Sequence, residues 1–255
     1  MNYSPKAISS VSEYELPYLS LETGEEAITC TGLAYDDEND TWWVGSYGRT
    51  NEGDPYGHSR IVEMDDTFQE IIGIIDLTDR INGLNQDIQG VALDESDGTI
   101  WFADNRNVYN ITKQGELKKV EEFDSKYKKP NGIAYDKTND SLWVLFFTKY
   151  LVNIDKDGTI LGEYPCDIKA QDHVYCSETN GAVYFTAGAD YSGDRNYVYQ
   201  YDFEAQTAVP IYQLMDSYAV EGLVLKDGDL YIANDGLYHQ AYEPVNVVKR
   251  YEIEE

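Results

Sequence analysis

Positively charged residues are scarce in this sequence. Lysine and arginine together number 19, against 47 aspartate and glutamate residues, which gives a formal net charge of −28. Because such a charge repels phosphate backbones and anionic membrane surfaces, we expect neither nucleic acid nor membrane as a partner. The acidic excess is typical of a solvated surface, of a surface that attracts cations, or of adaptation to saline surroundings. The composition leaves these three explanations open.

Cysteine and long apolar runs are also lacking. The three cysteines, Cys30, Cys166 and Cys176, are an odd number without C-x-x-C spacing. That count argues against a disulfide framework and against a structural zinc site. No stretch approaches the ~20 apolar residues of a membrane span, and the first residues contain no apolar run typical of a signal peptide. We therefore expect a soluble, cytoplasmic protein.

What the sequence does contain is an internal repeat. Its unit is an apolar strand, a short acidic turn and a second apolar strand, as in Ile88–Asp104. Five copies begin at Thr31, Gln89, Asn131, Asp172 and Glu221, in steps of 58, 42, 41 and 49 residues. Self-similarity at a period of roughly 40–50 residues is typical of a propeller or a repeat array.

Each hairpin is followed by two further strand candidates. The third strands are predicted at 59–65, 107–112, 150–155, 197–202 and 246–252. The fourth strands are predicted at 68–77, 117–124, 160–166 and 208–216. Four antiparallel strands make one propeller blade.

The fifth unit ends before its fourth strand, and residues 7–17 can supply the missing one. The sequence therefore predicts an all-β fold, a single five-bladed β-propeller over residues 1–255 that is closed by its N-terminal strand. Six blades are the alternative if the longer first unit hides a degenerate blade.

Long polar loops are predicted to gather on one face of this propeller. In a four-stranded blade, the entry to the first strand and the loop between strands two and three lie on the same side. The loops 46–58, 78–87, 188–196 and 234–245 therefore share what we call the loop-rich face, and short acidic turns occupy the opposite, short-turn face. Since loops on a rigid scaffold commonly bind and catalyse, we expect a protein partner or a small polar or carbohydrate ligand there.

The five residues that begin the repeats are predicted to form a ring around the central channel. Thr31, Gln89, Asn131, Asp172 and Glu221 are all oxygen donors: two carboxylates, two amides and one hydroxyl. Such a set suits a hard cation, calcium first and magnesium or another divalent ion second. The alternative is that polar residues cap the strand starts and hold channel waters.

Three of these strand starts resemble a known family. Pro130-Asn131-Gly132, Val220-Glu221-Gly222 and Gln171-Asp172-His173 are similar to the strand starts of the gluconolactonase/senescence-marker-protein family and, more widely, of NHL-like propellers. The resemblance implies that Asn131, Asp172 and Glu221 bind a divalent cation. It also implies that Asp172 acts as the base in sugar-lactone hydrolysis and that Gln89 faces the substrate. That family has six blades, its glutamate lies in the first blade, and glycine stands where this chain has His173.

Two function classes follow from these observations. A binding or assembly module that uses the loop-rich face is favoured, and a metal-dependent, lactonase-type hydrolase of a small polar substrate is the alternative. His58, His173 and His239 could converge into a metal site, although solvated loop histidines explain two of them more simply. A carboxylate pair for glycoside hydrolysis could come from Asp87, Asp172 and Glu221.

Overall fold

The computed structural model describes residues 4–21, 24–46, 59–78, 80–84, 88–147, 149–168, 171–188, 195–235 and 246–253. All regular structure in these ranges is β-strand. Four short strands come first: β1 (Lys6–Ile8), β2 (Ser12–Glu15), β3 (Tyr18–Leu21) and β4 (Gly24–Ala27). Nothing in the described ranges is a helix that could cross a membrane.

Five blades follow along the chain. Blade 1 contains β5 (Cys30–Asp36), β6 (Thr41–Ser46), β7 (Arg60–Asp65) and β8 (Ile71–Asp76). Blade 2 contains β9 (Val91–Asp94), β10 (Thr99–Ala103), β11 (Val108–Thr112) and β12 (Leu117–Glu121). Blade 3 contains β13 (Pro130–Asp136), β14 (Ser141–Phe146), β15 (Tyr150–Ile154) and β16 (Ile160–Pro165). Blade 4 contains β17 (Gln171–Cys176), β18 (Val183–Ala187), β19 (Asn196–Asp202) and β20 (Thr207–Leu214). Blade 5 contains β21 (Val220–Lys226), β22 (Asp229–Asn234) and β23 (Val247–Glu252).

The predicted five-bladed propeller is confirmed. Within each blade, consecutive strands pair antiparallel in sequence order. The first strands β5, β9, β13, β17 and β21 contact one another in a closed ring around the axis. Tight Asx-containing turns fix these hairpins, because residues such as Asp40 and Asp140 adopt the left-handed backbone that the turns require (φ of 53° and 51°).

The N-terminal segment closes the ring as predicted. Strand β2 pairs antiparallel with β23, with Glu13 opposite Lys249, and supplies the fourth strand of blade 5. The segment does more than this, since β1 also pairs in parallel with β20, with Ala7 opposite Gln213. One stretch of chain therefore joins blades 4 and 5 through main-chain hydrogen bonds.

A hairpin lies between the predicted closing segment 7–17 and the first repeat, where residues 21–27 were expected to be a polar link. Residues 18–27 form the β3–β4 hairpin, with Tyr18 opposite Ala27. Alternation explains the first strand, because Leu19 is fully buried in the core while Tyr18 is exposed.

The hydrophobic core lies between the blades. Each of five clusters joins two neighbouring blades, as where Trp42 of blade 1 packs with Val224 and Val248 of blade 5. The tryptophans predicted to pack in the second strands are all buried: Trp42, Trp43, Trp101 and Trp143. The three cysteines are buried free thiols.

Ion pairs between blades accompany this packing. The Asp36 carboxylate at the end of β5 accepts from Lys113 Nζ of blade 2 at 2.6 Å. The equivalent Asp94 of blade 2 pairs with Lys156 Nζ of blade 3 at 2.7 Å. In blade 4 the corresponding residue is Phe203, whose ring packs against Trp143.

Candidate functional site at the channel mouth

The predicted ring residues lie at irregularities in the innermost strands, at the end of the channel where these strands begin. The register of β5 skips a residue between Cys30 and Gly32, and that of β13 skips one between Pro130 and Gly132. Strands β17 and β21 show the same irregularity at residues 172–173 and 221–222. Since a bulge leaves its extra residue outside the ladder and redirects the side chain, four of the five ring residues can leave the blade surface.

Close approach of neighbouring innermost strands explains the glycine that follows most ring positions. A Cβ atom on Gly32 would lie 2.7 Å from the Val91 nitrogen, and one on Gly132 would lie 2.8 Å from the Val174 nitrogen. These contacts are closer than a Cβ atom normally tolerates, so Gly32 and Gly132 cannot be replaced without a shift of the neighbouring strand.

His173 occupies this position in blade 4. Its side chain is only 2% exposed, and Nδ1 has no hydrogen-bond partner among the described residues. Burial lowers the pKa of the His173 imidazole to about 3, which keeps the ring neutral.

Three carboxylates share the channel mouth. Asp172 and Glu221, both predicted, are joined by Asp235, which follows β22. Asp172 and Glu221 are partly exposed, but burial raises the pKa of Asp172 to about 7. Burial, and then the charges of Asp172 and Asp235, raise the pKa of Glu221 well above its ordinary value. None of the three forms an ion pair within the described part of the chain.

Asp235 was missed by the sequence analysis. Its side chain is 4% exposed, and its pKa is raised by burial and then by the charge of Asp172. Its Oδ1 atom has no hydrogen-bond partner in the described residues. The repeat gave no direct signal, because the hairpin registers align Asp235 with Asn105 of blade 2. The acidic residue of blade 2 is Asp104, one position earlier, where main-chain nitrogens of Arg106 and Asn107 donate to the carboxylate.

The other ring residues differ in their surroundings. The Thr31 hydroxyl donates to the main-chain oxygen of Ile88 at 2.6 Å, so it joins blades 1 and 2 instead of facing the axis freely. Asn131 is buried at the bulge of β13. Gln89 is half-buried, and its main-chain nitrogen donates to the Ala103 oxygen at 2.9 Å.

Several predicted features lie outside the described residues. They are His58, His239, Asp87 and most of the four long loops (47–58, 79 with 85–87, 189–194 and 236–245). The histidine site, the carboxylate pair with Asp87 and the ligand-binding role of the loop-rich face therefore stay predictions.

The side chains at the channel mouth are of the types that bind hard divalent cations. Asp172, Glu221 and Asp235 supply carboxylate oxygens, and Asn131 supplies an amide, which are the ligand types of calcium and magnesium. Among the described residues, the one acidic group whose oxygens all approach within 4.8 Å is Asp37, Glu95 and Glu178, at the opposite face. The ligand oxygens of the three channel-mouth carboxylates therefore do not all lie within 4.8 Å of one another.

Comparison with known proteins identifies the fold of this chain but no family. No family model matches the sequence, and no curated protein matches it significantly. A chain from the crystal structure of a nidogen/laminin complex superposes with a TM-score of 0.55 at 15% identity, over 83% of this chain and 74% of that one. The chain shares the β-propeller fold.

Two further structures agree with this assignment. The WD40 repeats of RRP9 give a TM-score of 0.55 at 8% identity, over 90% of this chain and 62% of that one. Hydrazine synthase of Kuenenia stuttgartiensis gives 0.53 at 11% identity, over 85% and 59%. The chain thus spans less than two thirds of these two proteins. The resemblance to the gluconolactonase family stays a prediction.

Proposed function

We propose that this protein is a propeller binding module that holds one divalent cation, most simply calcium, at the channel mouth and presents the loop-rich face to a protein partner. The observation that carries the proposal is the crowding of three carboxylates at a site without a cationic side chain among the described residues.

Electrostatics makes such crowding costly for the protein alone. Each carboxylate loses solvation, and Asp172, Glu221 and Asp235 disfavour one another's ionisation. The site must therefore retain protons or take up positive charge at neutral pH. A divalent cation supplies that charge, while Asn131 and Gln89 offer neutral oxygens that complete its coordination.

A protein partner fits the general properties of the chain. One structurally similar chain comes from a nidogen/laminin complex, so this fold takes part in protein–protein assembly. The net charge of −28 favours a partner with a basic surface, because complementary charge speeds association and excludes acidic competitors.

Calorimetric titration of chelator-stripped protein with calcium chloride tests the cation site. We expect one saturable site and a melting temperature that rises with free calcium. Asp172→Asn, Glu221→Gln and Asp235→Asn should each weaken binding at least tenfold. Thr31→Ser, and Glu204→Gln on an exposed outer turn, should leave it unchanged. Absence of both heat and a melting shift would contradict the proposal.

One observation favours the lactonase-type hydrolase as a second candidate. A pKa of about 7 for Asp172 suits a general base at neutral pH. Asp172 would take a proton from water as the water oxygen bonds to the lactone carbonyl carbon. The ring C–O bond would then break, and the ring oxygen would receive the proton to give a hydroxy acid. Gln89 would orient the substrate, and a bound divalent cation would polarise its carbonyl group.

Hydrolysis of D-glucono-1,5-lactone, followed with a pH indicator in weak buffer, separates the two candidates. An enzyme should accelerate hydrolysis above the buffer rate, and Asp172→Asn should abolish that acceleration. Calcium binding without any acceleration would leave the binding module alone.

A further inference from the structure

The central channel also opens at the short-turn face, away from the carboxylates of the channel mouth. There it forms a cavity of about 610 Å³, which lies within the usual range for small-molecule sites. Its walls are the innermost strands, with apolar side chains such as Val91, Ile133, Val174 and Val224. The cavity can therefore enclose an apolar body.

Acidic side chains surround the opening of this cavity. Asp37, Glu95 and Glu178 bring their oxygens within 4.8 Å of one another, and Asp227 also lines the cavity. Lys137 Nζ lies 2.5 Å from Glu95 Oε2 and 3.1 Å from Glu178 Oε2. An ammonium group of the protein itself thus occupies part of the acidic cluster.

The lysines beside this acidic cluster do not neutralise its negative charge. Burial and then the charge of Glu95 raise the pKa of Asp37, and burial raises the pKa of Glu178 even with Lys137 beside it. Four carboxylates, on Asp37, Glu95, Glu178 and Asp227, face the ammonium groups of Lys137 and Lys226. The opening therefore retains an unmet attraction for positive charge.

Tyrosine rings line the same opening. Tyr35 and Tyr135 hold equivalent positions in two innermost strands, and Tyr175 of a third also lines the cavity. Lys226 Nζ lies 4.5 Å from the centroid of Tyr35, and Lys156 Nζ lies 5.1 Å from that of Tyr135. The opening thus already accommodates ammonium groups against aromatic faces.

His173 provides an independent indication of a ligand. It is the cavity-lining residue nearest the strand starts, at the inner end of the cavity. Its imidazole is almost wholly buried, and Nδ1 has no hydrogen-bond partner among the described residues. Because buried polar atoms are normally paired, a ligand with a polar group at its far end would satisfy this atom.

We propose that the cavity binds a small organic ammonium compound. Its apolar body would occupy the channel, its ammonium group would lie among Asp37, Glu95 and Glu178, and a polar group at its other end would reach His173. The acidic opening of this site lies at the opposite end of the channel from the proposed cation site, and its inner end, at His173, adjoins Asp172.

The test uses benzylamine as the probe, with benzyl alcohol and benzoate as matched neutral and anionic compounds. Titrations are followed by amide chemical shifts of the whole protein in EDTA, so that the divalent-cation site does not contribute. We expect saturable shifts at Val174, Val224 and their neighbours for benzylamine, at least tenfold weaker binding of benzyl alcohol, and none of benzoate. Equal affinity for amine and alcohol, or no saturable shift, would overturn the proposal.

Variants that change the charge of the acidic cluster test the same site. Glu178→Gln should weaken benzylamine binding about threefold to tenfold, whereas Lys137→Met should strengthen it, because it removes the internal ammonium group that competes for the same carboxylates. Glu204→Gln is the control and should have no effect. Asp172→Asn should not change benzylamine binding, which separates failure here from failure of the proposed function. Unchanged binding in both Glu178→Gln and Lys137→Met would contradict the site.

Discussion

At the scale of single residues, close contact with the main chain of the neighbouring innermost strand limits which residue can follow a ring position. A Cβ atom on Gly132 would meet the Val174 nitrogen at 2.8 Å and Leu145 Cβ at 3.1 Å. We expect Gly132→Ala to lower the free energy of unfolding by about 1–3 kcal/mol, the usual cost of overpacking. Gly73→Ala is the control, since its nearest contact would be an ordinary 3.5 Å to Glu63. Urea denaturation measures both, and equal losses would show that strand approach is not the constraint.

The ion pairs between blades should stabilise the fold according to their burial. Asp94 is fully buried against Lys156, so Lys156→Met leaves a buried carboxylate without its cation. We expect a loss of about 3 kcal/mol in unfolding free energy. Lys118→Met removes an exposed pair with Asp97 at 3.5 Å and should cost less than about 1 kcal/mol. Similar losses in the two variants would refute the structural role of Lys156.

At the scale of strands, the N-terminal segment contributes to two blades unequally. Removing residues 1–9 deletes only β1, which adds a fifth strand to blade 4. Removing residues 1–16 also deletes β2 and exposes the edge of β23 in blade 5. We expect a small fall in melting temperature for the first truncation, and loss of cooperative unfolding with aggregation for the second. Calorimetry with size-exclusion chromatography checks this, and identical behaviour of the two truncations would contradict closure by β2.

The sequence alone predicted most strands, because the residue patterns that indicate a strand are local. Alternating apolar residues and Asx turns predicted 197–202 and 160–166, which the structure gives as Asn196–Asp202 and Ile160–Pro165. Strands of three or four residues carry too little pattern, so the parallel pairing of Lys6–Ile8 and the β3–β4 hairpin were not foreseen. Asp235 was missed for a different reason: it approaches Asp172 only because β17 of blade 4 begins, and β22 of blade 5 ends, at the same channel mouth.

At the scale of the whole molecule, the five blades are similar but their channel-mouth residues are not. Blade 1 places Thr31 in hydrogen bonds to its neighbours, whereas blades 4 and 5 place Asp172, Glu221 and Asp235 together. The repeat thus provides a uniform scaffold, and two adjacent blades concentrate negative charge on one side of the axis. Stability of the whole propeller should therefore respond to protons and cations at this one place.

The protonation of Asp172 makes this response measurable. Asp172 has a pKa of about 7 in the folded protein and of about 3.9 in an unfolded chain, so the folded state retains its proton over that interval. This contribution to stability is complete below pH 4 and is lost as pH rises toward 7. In EDTA, Asp172→Asn should therefore gain stability relative to the unsubstituted protein across this window, by at most about 4 kcal/mol and less where solvent screens the carboxylate. With saturating calcium at pH 7, the unsubstituted protein should instead be more stable than Asp172→Asn, because ionised Asp172 then binds the cation. Urea unfolding of both proteins from pH 4 to 8 decides the matter. In EDTA, parallel plots of unfolding free energy against pH for the two proteins would contradict the raised pKa. In calcium, a variant that stays the more stable protein at pH 7 would contradict the cation site.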